Sequence, residues 1–158
     1  MKKQFVAVLL IITVLCALCG CAAGAGELTA TELWTAVESA APPETLPVMM
    51  DIDAAALRTY YGLGEDEVRE YVGQMPLLNV SATEILIVHA QKKHVETVKQ
   101  ALNTRLERLS ETWSGGETTQ YVIVLSGRVV ENGGWLMLVV AEKTEEIVNA
   151  FNACFEGK

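Results

Sequence analysis

Aromatic residues and histidine are scarce in this sequence, at 6% of the chain and two residues respectively. Basic residues are also few, with 12 Lys and Arg against 20 Asp and Glu, so the formal net charge is −8. Such a charge repels the phosphates of nucleic acids and the headgroups of anionic lipids. We therefore expect no nucleic-acid partner and no electrostatic attraction of the acidic body to an anionic membrane surface.

Catalytic motifs are lacking as well. The chain contains no Gly-x-Ser-x-Gly, no Walker phosphate loop, no His-Glu-x-x-His and no Gly-x-Gly-x-x-Gly. The sequence therefore gives no candidate catalytic residue. We expect a protein that is not an enzyme and that needs no cofactor and no metal.

Cysteine is rare outside the N-terminal segment. Three of the four cysteines lie within the first 21 residues, and Cys154 is the other. An intramolecular disulfide in the remaining chain therefore has no second thiol, and a chain of this length buries enough surface to fold without one. Cys154 shares an apolar stripe with Ile147 and Phe151, so we interpret it as a small core residue rather than a nucleophile.

The N-terminal segment has the features of a signal peptide. Lys2 and Lys3 precede a run over residues 5–19 that carries no charge. This run is short for a membrane-spanning helix, which needs about 20 apolar residues, but its length is typical of a signal peptide. An N-terminal membrane helix that is not cleaved is the alternative, since residues 4–26 contain no charged side chain.

A lipobox follows this run. Leu18 lies three residues before Cys21 and the small Gly20 directly precedes it, which is the pattern of bacterial lipoproteins. The cysteine thiolate is the nucleophile that accepts a diacylglyceryl group. The sequence therefore predicts a lipoprotein signal peptide over residues 1–20, a lipidated Cys21 with a short tether over residues 21–28, and a single domain over residues 29–158. We expect the protein on the extracytoplasmic face of the cell membrane, held there by Cys21.

The domain shows helix and strand signals in alternation. Helices are predicted from residue 29 to about Ala41, from Ala54 to about Tyr61, over Lys92–Trp113 and from about Glu145 to Phe155, with a short helical turn opening at residues 65–67. Three local signals support them: a Thr29-x-x-Glu32 capping box, Asp53 as a cap and Gly62 as a helix end. Strands are predicted over residues 46–50, Thr83–Ala90, Tyr121–Val130 and Trp135–Ala141.

Two features of the strands define the fold class. The run Ile85–Val88 is apolar at every position, which is typical of a strand buried on both faces. Asn132-Gly133 between the last two strands predicts a hairpin. The sequence therefore predicts an α+β fold, with a mostly antiparallel sheet and helices packed on one face, preceded by a cleaved signal peptide.

Four short motifs of the domain point to a family: Tyr61-Gly62-Leu63 before an acidic turn, Ala82-x-Glu84-Ile85-x-Ile87, Arg105-Leu106 on the long helix, and the Gly127 hairpin that ends in Val139-Val140 before the Phe151 helix. In these motifs the domain resembles a family of small bacterial lipoproteins known as domain of unknown function 4358. The resemblance implies a surface lipoprotein of Gram-positive type. It implies no activity and no site residues.

Two groups of polar residues are candidates for a metal site or an acid–base site. His89 and His94 are separated by a predicted turn, but their spacing is no recognised ligand pattern, so we interpret them as edge histidines. Asp51 and Asp53 lie near the acidic residues 65–67 without the glycine and further oxygen ligands of a calcium loop. We interpret Asp53 as a helix cap and the acidic residues as favourable at a helix N-terminus.

Aromatic side chains supply the one hint of a ligand cleft, because aromatic rings line many sugar sites. The candidates are Trp34, Tyr60, Tyr61, Tyr71 and Trp135. With so few aromatics, we expect most of them in the core.

We therefore expect a membrane-anchored domain that binds a protein or a component of the cell envelope. A small-solute-binding lipoprotein is one alternative, and an enzyme that uses Asp51, Asp53 or His89 is another.

Overall fold

The computed structural model describes residues 27–41, 46–116 and 118–156. The signal peptide of residues 1–20 and the lipidation site Cys21 lie outside the described residues, so both stay predictions. The helices are α1 (Ala30–Ala40), α2 (Ala54–Ala56, continued by a wider turn over Leu57–Tyr61), α3 (Val95–Trp113, preceded by a 3₁₀ turn over Lys92–His94), α4 (Thr118–Leu125) and α5 (Thr144–Ala153). The strands are β1 (Met49–Asp51), β2 (Val68–Pro76), β3 (Glu84–Ala90), β4 (Arg128–Asn132) and β5 (Trp135–Val140). Across the described ranges, no helix is both long enough and apolar enough to cross a membrane.

The strands form one sheet in the order β1-β2-β3-β5-β4, and every neighbouring pair is antiparallel. β3 is its central strand, and all seven of its residues are buried. Its residues Ile85–His89 pair with both β2 and β5, and helices lie above and below the sheet. The predicted α+β class and the antiparallel sheet are therefore confirmed.

Helices cover both faces of the sheet, whereas the sequence predicted one. The first face, with Leu86 and Val88 of β3, packs against α2, α3 and α4. The second face, with Ile85 and Ile87, packs against α1 and α5. Since successive side chains of a strand point to opposite faces, a strand that is apolar at every position needs a cover on each face.

The segment predicted as a strand over Tyr121–Val130 divides into two elements. Residues up to Leu125 form α4, and only the residues from Arg128 onward extend as β4. Ile123 and Val124 are buried while Val122 is exposed, so packing outweighs the strand preference of this β-branched run. The prediction of a strand at residues 121–125 was wrong.

Residues 65–67 open no helix, because β2 begins at Val68 and runs to Pro76. Pairing with β3 over Val68–Gln74 supplies the hydrogen bonds that a helix would otherwise provide. Pro76 ends the strand and pairs with Met49 of β1, beyond the stretch that β3 covers. Proline disfavours a central strand, but the missing N–H of Pro76 costs the ladder no bond to β3, so the strand forms.

The local helix and turn signals are confirmed. Thr29 and Glu32 form the predicted capping box, and the Asp53 carboxylate accepts a 2.8 Å hydrogen bond from the Ala56 N–H. Gly62 ends the wide turn with φ of 69°. The hairpin between β4 and β5 is also present, but its two loop residues are Gly133 and Gly134, with φ of 60° and 86°. Both values favour glycine, as the tight turn of a twisted hairpin requires.

Gly73 of β2 lies close against the backbone of β3. A Cβ atom at Gly73 would lie 2.6 Å from the Ile85 carbonyl oxygen and 2.9 Å from the Leu86 Cα. We expect Gly73→Ala to lower the free energy of unfolding by about 1–3 kcal/mol, because the strands must separate to admit a methyl group. Urea denaturation measures the change. Gly115→Ala is the matched control, since no atom lies within 4 Å of its added Cβ; equal losses in the two variants would contradict the prediction.

Candidate functional site

A buried ion pair joins the centre of the sheet to α3. Glu84 is the first residue of β3 and is 1% exposed. The Arg105 side chain reaches it from α3 and donates twice, from Nε to Glu84 Oε1 at 2.9 Å and from Nη2 to Oε2 at 2.6 Å. This two-bond geometry holds the guanidinium and the carboxylate in one plane and fixes their relative positions.

The Tyr61 hydroxyl completes the arrangement. It donates to Glu84 Oε1 at 2.6 Å from the wide turn that follows α2. Burial, followed by the charge of Glu84, raises the pKa of Tyr61 well above its ordinary value, so the phenol stays protonated and continues to donate. Burial lowers the pKa of Arg105, but the hydrogen bonds and charge of Glu84 outweigh this and raise it, so the guanidinium stays charged.

Two tyrosine rings flank the guanidinium of Arg105. Its Cζ atom lies 5.1 Å from the centre of the Tyr60 ring and 5.8 Å from that of Tyr61. Attraction between a cation and the faces of aromatic rings adds to the hydrogen bonds. Tyr61 is buried, whereas Tyr60 is 42% exposed, so Tyr60 carries the cluster to the surface.

The cluster forms the floor of a groove of about 600 Å³. We call it the Arg105 groove; its walls include Met50, Tyr60, Leu77, Asn79, Thr112 and Trp113. They come from β1, from the turn after α2, from the loop between β2 and β3, and from the C-terminal half of α3. The groove therefore lies on the first face of the sheet, at the end where β2 finishes and β3 begins.

Exposed apolar side chains border the Arg105 groove. We call them the apolar rim: Val48, Leu77, Leu78 and Val80, exposed at 70%, 55%, 61% and 70%. A hydrogen bond of 2.9 Å from the Leu77 N–H to the Val48 carbonyl holds the two halves of the rim together. Single exposed apolar residues are ordinary, but a cluster beside a groove is typical of a binding surface.

The two histidines are not brought together. The His89 ring stacks on Trp135, with centroids 4.4 Å apart, among side chains of the second face. His94 lies in the turn before α3, which covers the first face. Burial, then the charge of Arg69, lowers the pKa of His89, and Arg69 Nη1 lies 3.2 Å from its Nε2. His89 is thus a buried, neutral acceptor, and the prediction that it is an edge histidine was wrong.

The acidic residues are separated by their own local bonds. Asp51 accepts from the Gln74 side chain at 2.9 Å, and Asp53 caps α2 as predicted. Glu67 accepts from the Gly64 N–H at 3.0 Å in the turn before β2, where no helix begins. In the part of the chain that the structure describes, no three His, Cys, Asp or Glu side chains are placed to hold one metal ion.

The aromatic candidates divide between the groove and the core. Tyr60 lines the Arg105 groove and Tyr61 lies beneath it, whereas Trp34 and Trp135 pack on the second face of the sheet. Trp113, at the end of α3, was not a sequence candidate but also lines the groove. Tyr71 packs against the first-face core.

Cys154 is half-buried and packs against the second-face core, as its apolar stripe predicted.

Sequence reasoning did not identify the ion pair as a site. The available signal was Glu84, a charge directly beside the apolar run of β3. A carboxylate at such a position needs a cationic partner when it is buried. Arg105, 21 residues away on the next helix, was noted only as part of the family resemblance.

Removal of one partner tests how strongly the ion pair stabilises the fold. We expect Arg105→Met to lower the free energy of unfolding by about 3–5 kcal/mol, because the Glu84 carboxylate loses its buried partner. Adding Glu84→Gln should restore part of this loss, since the amide removes the charge and still accepts from Tyr61. Urea denaturation provides the measurement. Lys99→Met, also on α3, is the control. It breaks the exposed 3.0 Å ion pair between Lys99 and Glu131 of β4 and should change the free energy of unfolding far less. A double variant with a lower free energy of unfolding than Arg105→Met alone would contradict this account.

Comparisons with known proteins identify a family and nothing more specific. No curated protein matches the chain, and no solved structure matches it. A family model described as Domain of unknown function (DUF4358) matches residues 44–141. This range contains the whole sheet, the ion pair and the lining of the Arg105 groove. Because it spans more than half of the sequence, the chain belongs to the DUF4358 family.

Proposed function

We propose that the protein is a lipoprotein of the extracytoplasmic membrane face, anchored through Cys21, and that its domain is a non-enzymatic binding module. The observation that carries the binding role is the Arg105 groove. It combines a rigid floor, apolar walls and an exposed apolar rim. The partner is a protein or a component of the cell envelope.

The state of the charged groups supports binding rather than catalysis. Glu84 and Arg105 bind each other through two hydrogen bonds, and Tyr61 donates to the same carboxylate. A general acid or base needs a group whose pKa lies near the working pH and whose proton is free to move. On the floor of the groove, the Glu84 carboxylate and the Arg105 guanidinium instead engage each other, and Tyr61 keeps its proton because burial and the charge of Glu84 raise its pKa.

The anchor is supported by the lipobox and by the chemistry of acyl chains. Each buried CH₂ group contributes about 0.8 kcal/mol, so a single chain binds a bilayer reversibly and two or three chains hold a protein there. A diacylated Cys21 therefore anchors an acidic domain that has no electrostatic attraction to the membrane.

A small solute is the second candidate ligand. Ligand pockets have volumes of about 300–1,000 Å³, a range that includes the Arg105 groove. Tyr60 and Trp113 offer ring faces, and Asn79 and Thr112 offer polar groups. This combination of apolar surface and a few polar groups suits a sugar or an amino acid.

Intact mass of the protein extracted from membranes tests the anchor. We expect a chain that begins at Cys21 and carries a diacylglyceryl group. Cys21→Ala should abolish both the lipid and the cleavage, because the nucleophilic thiol is lost. Cys19→Ala is the matched control and should be processed normally, since alanine suits that lipobox position. A wild-type chain that retains residues before Cys21 would refute the anchor.

A thermal-shift screen of the full chain in detergent tests the binding role. The panel contains metals, sugars, amino acids, peptides and cell-wall fragments. A ligand at a hundred times its Kd adds about 2.7 kcal/mol, which should raise the midpoint by roughly 5–12 °C. We expect Thr112→Trp, which fills the groove, to abolish the shift. Thr97→Trp, at another exposed threonine of α3, should keep it. A shift that survives Thr112→Trp would place the ligand elsewhere.

A further inference from the structure

We propose that the Arg105 groove and the free edge of β1 together bind an extended peptide segment of a partner protein, which adds to the sheet as a sixth strand. This inference rests on the proposed binding function and specifies its ligand. The peptide carries apolar side chains at alternate positions and a basic residue beside Asp51.

The outer edge of β1 has backbone groups available for pairing. Within the part of the chain that the structure describes, β1 is the terminal strand of the sheet and pairs only with β2. The Leu77 N–H donates to the Val48 carbonyl, and the Ile52 N–H donates to the Gly73 carbonyl. Bonded and non-bonded positions alternate along an antiparallel pair, so Met49 and Asp51 point their N–H and C=O groups away from β2. These groups form a template for an added strand.

The Arg105 groove continues this edge on one face. Met50 of β1 pairs with Met75 of β2, and both side chains line the groove. A peptide paired with β1 would therefore place alternate side chains in line with Met50. Side chains on that face would enter the groove between Tyr60 and the apolar rim. Backbone bonds and a side-chain pocket are the two components of recognition by strand addition.

The described residue nearest to the proposed anchor lies at the opposite end of β2 from the groove. Glu27 is the first described residue, and its carboxylate lies 3.1 Å from Arg69, at the start of β2. The groove lies at the other end of β2, about 26 Å along the strand. Six residues from Cys21 to Glu27 span at most about 22 Å. This tether is shorter than β2, which favours a partner outside the bilayer, rather than the membrane itself, as the occupant of the groove.

Charge favours a basic peptide over a second copy of this chain. The Asp51 carboxylate is exposed at the end of the free edge, and Asp53 is exposed two residues later. The full chain carries a net charge of −8, and the proposed cleavage also removes Lys2 and Lys3, so pairing of two β1 edges would oppose like charges. A lysine or arginine of the peptide beside Asp51 would instead form an ion pair with its carboxylate at the end of β1.

Selection from random seven-residue peptides displayed on phage tests the proposal, with the detergent-extracted full chain as the target. We expect enrichment of sequences with alternating apolar residues and a flanking lysine or arginine. Met49→Pro removes an outward N–H and blocks the edge while leaving the bonds to β2 in place. It should weaken binding of a selected peptide by about tenfold or more. Val122→Glu, at an exposed apolar residue of α4, should leave binding unchanged.

Other outcomes would overturn strand addition. No enriched peptide would exclude a peptide ligand. Peptides that bind Met49→Pro as tightly as the wild type would keep the groove as a binding site but exclude pairing with β1. A dimer that Met49→Pro dissociates in sedimentation would assign the edge to a second copy, and capture by neutral lipid vesicles would assign the rim to a membrane. If Met49→Pro unfolds, Met50→Glu on the wall of the groove replaces it, with the same expected loss.

Discussion

The rest of the structure depends on the ion pair between Glu84 and Arg105, which are on β3 and α3. It joins the central strand to the longest helix, and the Tyr61 hydroxyl joins the turn after α2 to the same carboxylate. Because the pair is buried, loss of either partner leaves a charge without compensation. The helix, the strand and the tyrosine turn therefore hold one relative position, and the groove above them has a rigid floor.

Local signals in the sequence predicted the local structure, and tertiary signals were harder to read. The Thr29 capping box, the Asp53 cap and the glycine hairpin depend on groups within a few residues, so the sequence alone identified them. Residues 121–125 have a strong strand preference but form a helix, because packing against α3 and the sheet decides their conformation. The site was missed for the same reason, since Glu84 and Arg105 meet only once the fold is complete. The apolar run of β3, in contrast, was sufficient to predict helices on both faces of the sheet, because its side chains point alternately to each face.

The charged groups on the floor of the groove have partners within the fold. Glu84 and Arg105 bind each other through two hydrogen bonds, and Tyr61 donates to the same carboxylate. The remaining surface of the groove is apolar or uncharged, in a chain that is otherwise acidic.

The second face of the sheet determines when folding can finish. The two helices that cover it, α1 and α5, come from opposite ends of the chain and pack side by side over Ile87 and Met137. Both helices lie outside residues 44–141, the range that defines the family. A fragment cut to that range would expose a continuous apolar sheet face to water. During synthesis, the part of this face that α5 covers stays exposed until the ten residues of Thr144–Ala153 have been made, so the growing chain is prone to aggregation until then.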